Sequence, residues 1–203
     1  MNPQLPVGWA GSEAFRKFAE GRRIDQAAID AFLAGQPVPI VEGSNCTFVW
    51  RGEADEVRLR HWIFGLSTAQ PFMRLEGTDL WFLTMELPAR SRVEYKLEVA
   101  RGDRVELLQD PLNPMTARDP FGANSVVVGT GYEVPEWTRY DEEARPGNLE
   151  ELVVRSHAMR RDQRVTLYLP ARFRRTRRYP LLIVHDGGDF LAYSGMKTIL
   201  DNL

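Results

Sequence analysis

The stretch Glu56-Val57-Arg58-Leu59-Arg60-His61-Trp62 decides how most of this chain is to be read. Charged and apolar residues alternate along it. Successive side chains of a strand point to opposite faces, so the pattern is that of a strand with one wet face and one buried face. Working outward, the same period of two returns in Leu80-Trp81-Phe82-Leu83-Thr84-Met85-Glu86-Leu87 and in Arg92-Val93-Glu94-Tyr95-Lys96-Leu97-Glu98-Val99. Thr47-Phe48-Val49-Trp50-Arg51-Gly52 precedes them as a further strand, and Arg104 to Leu108 and Ser125 to Val128 add two more. Turns bearing Gly, Pro and Asp separate these runs at sandwich spacing. Residues 37–134 are therefore expected to form an antiparallel β-sandwich of immunoglobulin-like type. Trp50, Trp62 and Trp81 fall in its strands, where core packing is the default for such rings.

On the N-terminal side the period changes. Ser12 is placed to cap a helix from Glu13 to Glu20, and Asp25 to cap a second that ends at Gly35. Ala28, Ile29, Phe32 and Leu33 share one face of the second helix, so residues 1–36 read as a helical extension docked on something apolar. On the C-terminal side, Pro135, Pro146 and Gly147 among five acidic residues mark 135–150 as a linker. Beyond it, Leu152 to His157 and Gln163 to Leu169 alternate and pair as a hairpin across Arg160-Arg161-Asp162. Leu181-Leu182-Ile183-Val184-His185 then reads as a buried parallel strand. It is followed by the Asp186-Gly187-Gly188-Asp189 turn, where glycines admit positive φ, and by the start of a helix from Ser194 to Leu203. A strand–glycine turn–helix unit needs a second parallel strand, which residues 151–203 do not supply, so this segment reads as an incomplete domain.

Composition excludes several classes. The hydrophobic content of 43% and charged content of 27% are those of a globular protein. The net charge of −2 gives no case for attraction to nucleic acid or to a membrane surface, and no apolar run approaches the roughly 20 residues of a span. Cys46 is the single cysteine, and His61, His157 and His185 lie far apart, so neither a disulfide nor a metal site is expected, and no cofactor. The first residues lack the basic and apolar regions of a signal peptide, which points to the cytoplasm.

Three segments together resemble the enterochelin esterase-like group of the esterase D family of α/β-hydrolases. They are Phe48 to Gly52 with Asp79 to Leu83; Asp110-Pro111-Leu112-Asn113-Pro114; and Leu167-Tyr168-Leu169-Pro170 leading through Tyr179-Pro180 to His185-Asp186-Gly187-Gly188. The resemblance implies a mixed fold of N-terminal helices, an immunoglobulin-like sandwich, and the truncated start of an α/β-hydrolase domain over 151–203. It implies a serine esterase acting on a small-molecule ester, a ferric catecholate siderophore among the candidates.

The motif Gly-x-Ser-x-Gly of the nucleophile elbow is missing. Gly65-Leu66-Ser67-Thr68-Ala69 is its nearest match, but it lies between sandwich strands, and Ser194-Gly195 lacks the preceding glycine. Family order places nucleophile, acid and base beyond Leu203, so no catalytic residue is expected in this chain and the chain alone is expected to be inactive. What family position does assign is an oxyanion-hole loop, with Gly188 as N–H donor and Gly187 allowing the turn; a plain strand-to-helix turn is the competing reading. Asp186 and Asp189 are candidates to orient substrate hydroxyls, with helix capping favoured for Asp189. His185 reads as a structural strand-end residue. The cluster Arg172, Arg174, Arg175, Arg177 and Arg178 either solvates its loop or binds an anion. From Leu149 onward ten Arg/Lys face six Asp/Glu, a local +4 that leaves −6 for residues 1–148.

Two other functions stay open on sequence. One is a non-catalytic carbohydrate- or siderophore-binding sandwich module with a hydrolase remnant, its sugar-binding version resting on exposed Trp. The other is a structural partner whose open sheet edge pairs with another chain. The ester, the oligomeric state and the meaning of the end at Leu203 are not fixed by sequence.

Overall fold

The computed structural model describes residues 9, 11–20, 24–63 and 65–203, so residues 1–8, 10 and 21–23 of the expected helical extension lie outside the described residues. The chain divides into two compact units, Met1–Glu133 and Val134–Leu203.

In the first unit the helices are α1 (Glu13–Ala19) and α2 (Gln26–Ala34). Both are capped by the expected residues. The Ser12 hydroxyl accepts from the Phe15 N–H at 3.2 Å, and the Asp25 carboxylate from the Ala28 N–H at 3.0 Å. Each such cap supplies a partner that the first helical turn cannot supply for itself. The strands are β1 (Ile40–Glu42), β2 (Asn45–Arg51), β3 (Glu56–His61), β4 (Ala69–Pro71), β5 (Met73–Arg74), β6 (Leu80–Glu86), β7 (Arg92–Arg101), β8 (Arg104–Leu108), β9 (Thr116–Asp119) and β10 (Gly122–Val128). All pairings among them are antiparallel.

One sheet has the order β1-β2-β6-β5; the other runs β4-β3-β7-β10-β9, with β8 also paired to β7. β3 lies along one edge of β7. The opposite edge is shared, β10 pairing with Arg92 to Tyr95 and β8 with Leu97 to Arg101.

The two hydrophobic patterns in the sequence now have separate causes. Phe48 and Trp50 of β2 join Trp81, Leu59, Tyr95 and Leu97 in a core between the sheets. Val49 joins Phe82, Phe15 and Ile29 in a second core, beneath the helices. The four-stranded sheet is thus covered on both faces, and β2 buries five residues in succession from Cys46 to Trp50. The six-stranded sheet is covered on one face only. Along β3, Val57, Leu59 and His61 are buried while Glu56, Arg58 and Arg60 are not, which is the alternation read from the sequence. Each fully buried large apolar side chain in these cores contributes about 1.5–3 kcal/mol. Trp62 departs from expectation: it lies just past β3 and is 66% exposed. It shares the parity of Arg58 and Arg60, and so falls on the wet face.

The second unit holds β11 (Asn148–Ser156) and β12 (Arg161–Leu169), paired as a hairpin from Asn148↔Leu169 to Ser156↔Arg161. The expected parallel strand is not formed. Residues 181–184 pair with no strand, and Leu181, Leu182 and Ile183 are 81%, 66% and 72% exposed. The physical reason is that a parallel strand takes its hydrogen bonds from a neighbour, and the only sheet in this unit's described residues is the antiparallel hairpin. Two short helices follow, α3 (Gly187–Tyr193) and α4 (Met196–Asn202); the expected Ser194–Leu203 helix is α4, and α3 is additional.

A polar knot ties α4 to the hairpin. The Asp201 carboxylate accepts from the Gly147 N–H at 2.8 Å, the Tyr168 hydroxyl at 3.1 Å and the Lys197 ammonium at 2.6 Å. Burial pushes the Asp201 carboxyl up, but these donors more than offset it and hold it below its usual range. Gly147 is required there, because a Cβ would lie 2.4 Å from the Leu169 carbonyl oxygen and 2.5 Å from the Tyr168 ring.

Candidate functional site

The glycine turn adopts a geometry different from the one expected. Asp186, not a glycine, takes the left-handed conformation, with φ of 54°, and Gly187 and Gly188 are the first two residues of α3. The Asp186 carbonyl accepts from the Asp189 N–H at 2.9 Å and the Phe190 N–H at 3.2 Å, so the turn is closed by backbone. Neither Asp186 nor Asp189 makes a side-chain cap to the helix, because the carbonyl of Asp186 does that work, and the capping role expected of Asp189 is corrected accordingly. The N–H groups of Gly187 and Gly188 head a helix, where no carbonyl lies one turn earlier to receive them. A Cβ on either glycine would meet nothing within 4 Å. The backbone there is open to approach from outside.

The other sequence candidates stand apart from this turn in their roles. His185 is exposed and sits just before it. Ser67 is an exposed loop residue between β3 and β4, with its hydroxyl donating to the Ala69 carbonyl at 3.3 Å. The arginines at 172, 174, 175, 177 and 178 lie in an exposed segment of turns, where Arg172 has φ of 59° and the Tyr179 hydroxyl accepts from the Arg174 N–H at 3.0 Å.

Two of the segments that carried the family resemblance are structural. β2 and β6 pair in register, Trp50 opposite Trp81. The Gly52 N–H donates to the Asp79 carbonyl at 3.0 Å, and the Trp81 indole N–H to the Gly52 carbonyl at 3.1 Å. Arg51 donates to Asp79 at 3.1 Å and also reaches Gln26 and Asp30 on α2, fastening helix to sheet. Asp110 and Asn113 are a buried polar node. The Tyr95 hydroxyl donates to Asp110 at 2.6 Å and accepts from the Asn113 amide at 3.0 Å; the Leu112 N–H donates to Asp110 at 2.9 Å, and the Asp110 N–H to the Ser125 hydroxyl at 2.8 Å. Burial raises the Asp110 carboxyl above its ordinary value, and the hydrogen bonds from Tyr95 and Leu112 counter this in part. Burial first, and the neighbouring Asp110 second, push the Tyr95 phenol up, so it stays a donor; the same two causes push the Cys46 thiol up to about 12.

A feature that sequence reasoning passed over lies on the open face of the six-stranded sheet. Where β10 and β8 divide the edge of β7, a shallow groove of about 230 Å³ is lined by Arg60, Trp62, Lys96, Leu107, Phe121 and Asn124, among others. Arg60, Lys96, Leu107 and Asn124 come from four strands, Trp62 from the loop after β3 and Phe121 from the turn before β10. The parity of Trp62 with Arg58 and Arg60 was the one sequence signal able to point there.

Residues 45–137 match the family model described as enterochelin esterase, N-terminal. Among solved structures, the enterobactin esterase FES from Shigella flexneri in the presence of enterobactin is similar at 20% identity with a TM-score of 0.57, over 86% of this chain and 53% of that one. The same esterase in the presence of 2,3-di-hydroxy-N-benzoyl-serine aligns at 20% identity and a TM-score of 0.51, over 78% and 47%. At that identity the likeness is one of fold. The chain spans about half the length of these structures. No curated protein sequence matches it.

Proposed function

We propose, from the premise that residues 45–137 belong to the enterochelin esterase N-terminal family, that the chain is the N-terminal part of a serine esterase acting on siderophore-type esters. In this reading residues 37–134 are the immunoglobulin-like domain, residues 151–203 open an α/β-hydrolase domain, and the nucleophile, acid and base belong to a further half of the protein. The family match over the sandwich is the observation that carries the proposal. The likeness of fold to esterases solved with enterobactin and a catecholate fragment supports it.

The Gly187-Gly188 turn is the part of the catalytic device that this chain would supply. In acyl transfer an oxyanion forms as the nucleophile adds to the carbonyl, and fixed N–H donors aimed at that oxygen stabilise it more than they stabilise the ground state. In α/β-hydrolases one donor comes from the residue after the nucleophile and the other from an earlier strand-to-helix loop. Gly188 donates the second in this proposal. Its N–H has no acceptor within the helix it heads, and a Cβ at Gly188 would meet nothing within 4 Å. Asp186 and Asp189 flank the turn and would meet substrate hydroxyls.

Enterobactin is the probe, with release of 2,3-dihydroxybenzoylserine followed by chromatography. The 203-residue chain is expected to leave it intact, and a longer protein carrying the downstream half to hydrolyse it. Gly188→Pro removes the N–H without breaking a helical hydrogen bond, and should lower kcat by about 10²–10³. Turnover by the 203 residues alone would overturn the assignment of the triad. An unaffected kcat in Gly188→Pro would overturn the role of the loop.

A further inference from the structure

The groove on the open face of the six-stranded sheet lies wholly within the first unit. Its two aromatic residues are conspicuous for their exposure. Trp62 is 66% and Phe121 90% exposed, although every other Trp of the sandwich strands is buried. Most of the lining surface is apolar, and the charged residues among it are mixed in sign. Arg60 and Lys96 are neighbours across β3 and β7, and Asp119 stands on the far side.

The charges do not add up to an anion site. The Arg60 guanidinium already faces Glu98 at 3.6 Å, and Asp119 would repel an incoming carboxylate or phosphate. Asn124 adds a second argument. It is only 6% exposed, and its amide nitrogen donates to Glu94 at 2.9 Å and to Asp119 at 3.0 Å. Its Oδ1 has no hydrogen-bond partner among the described residues. That oxygen is closed to solvent, but an anion would meet the two carboxylates that the Asn124 amide holds, whereas a hydroxyl can donate to Asp119 and still accept from Lys96.

We infer that this groove binds a neutral polyhydroxylated ring, that is, a carbohydrate. A sugar ring offers an apolar C–H face for Trp62 and Phe121 and a rim of hydroxyls that both donate and accept, matching Lys96 and Asp119 together. The volume of about 230 Å³ is below the roughly 300–1,000 Å³ of pockets for drug-sized ligands, so the groove grips one ring at a time and leaves the rest of a chain in solvent.

The test is a titration of the ¹⁵N-labelled 203-residue chain with maltohexaose and, separately, cellohexaose, following the Trp62 indole and the Lys96 and Asn124 amides. At least one sugar should give a saturable shift at these signals. Trp62→Ala should weaken it tenfold or more, as should Phe121→Ala, with melting curves unchanged because both side chains are exposed. Absence of saturable shifts with both sugars would overturn the inference, as would shifts that Trp62→Ala leaves unaltered. A response of the same signals to 2,3-dihydroxybenzoate alone would replace the sugar with an aromatic acid. Concentration-dependent dimerisation lost in Phe121→Ala would make the groove a self-association surface instead.

Discussion

Tyr95→Phe is the most informative single change in the sandwich. It removes one oxygen from a fully buried position and leaves the ring packed against Phe48, whose centroid is 4.9 Å away. The loss falls on the polar node: Asp110 loses the donor at 2.6 Å, and the Asn113 amide keeps only its bond to the Val126 carbonyl at 2.8 Å. A hydrogen bond to a charged group contributes about 1.5–3 kcal/mol and a neutral one about 0.5–1.5 kcal/mol, so the cost depends on whether Asp110 is ionised. Burial raises the folded-state pKa of Asp110 above the unfolded value of 3.8. The folded protein therefore holds the Asp110 proton more tightly, and this carboxyl's contribution to stability declines as pH rises from about 3.8 toward its raised folded value. Tyr95→Phe removes a bond that favours the ionised form and so raises that folded value further. The destabilisation should then be about 1 kcal/mol below pH 3.8, where the carboxyl is neutral in both proteins, and about 2–3 kcal/mol once pH passes the raised folded value and the carboxyl is ionised. Urea unfolding followed by tryptophan fluorescence at four pH values measures it. A gap constant across pH would refute the reasoning that Tyr95 stabilises the ionised form of Asp110.

Three other outcomes are expected. Cys46, fully buried with its thiol pushed up to about 12, should react with a thiol reagent only as fast as the sandwich unfolds; rapid labelling of the native chain at pH 8 would contradict this. Gly52 has φ of 143°, and a Cβ there would sit 2.8 Å from the Trp50 ring, so Gly52→Ala should cost about 2–3 kcal/mol in denaturant unfolding; an unchanged midpoint would contradict this. Burial lowers the His61 pKa from 6.5, so its neutral form stabilises the fold above pH 6.5 and that contribution is lost as pH falls below it. Melts between pH 5 and 7 should show a slope that His61→Leu flattens, and equal slopes would assign the acid sensitivity to another group.

Much of the sandwich was legible because periodicity reports burial directly. Glu56 to His61 alternates since one face of its sheet is wet, and Thr47 to Trp50 does not since helices cover the back of its sheet. The short strands β1, β4, β5 and β9 carried no readable period at two to four residues each. Leu181 to Val184 misled for a physical reason: an apolar run shows that a segment would gain from burial, not that a neighbour is present to bury it. At the glycine turn, sequence located the loop, yet the left-handed residue is Asp186, since Asp is among the few side chains that tolerate that conformation and the glycines were free to begin the helix. The groove was illegible because Trp62, Lys96, Phe121 and Asn124 are brought together only by the register of β3, β7 and β10.

The shared edge of β7 bears on how this domain can change over evolutionary time. A strand flanked by one neighbour on each side can be lost from a sheet, and the gap closed by sliding the rest together. β7 holds three partners, two of them end to end on one edge, so the sheet branches at Leu97. A deletion or register slip within Arg92–Arg101 would unseat β3, β8 and β10 at once. An exposed turn such as Gly102-Asp103 carries no such load, so a change of length there should leave the branch point in place.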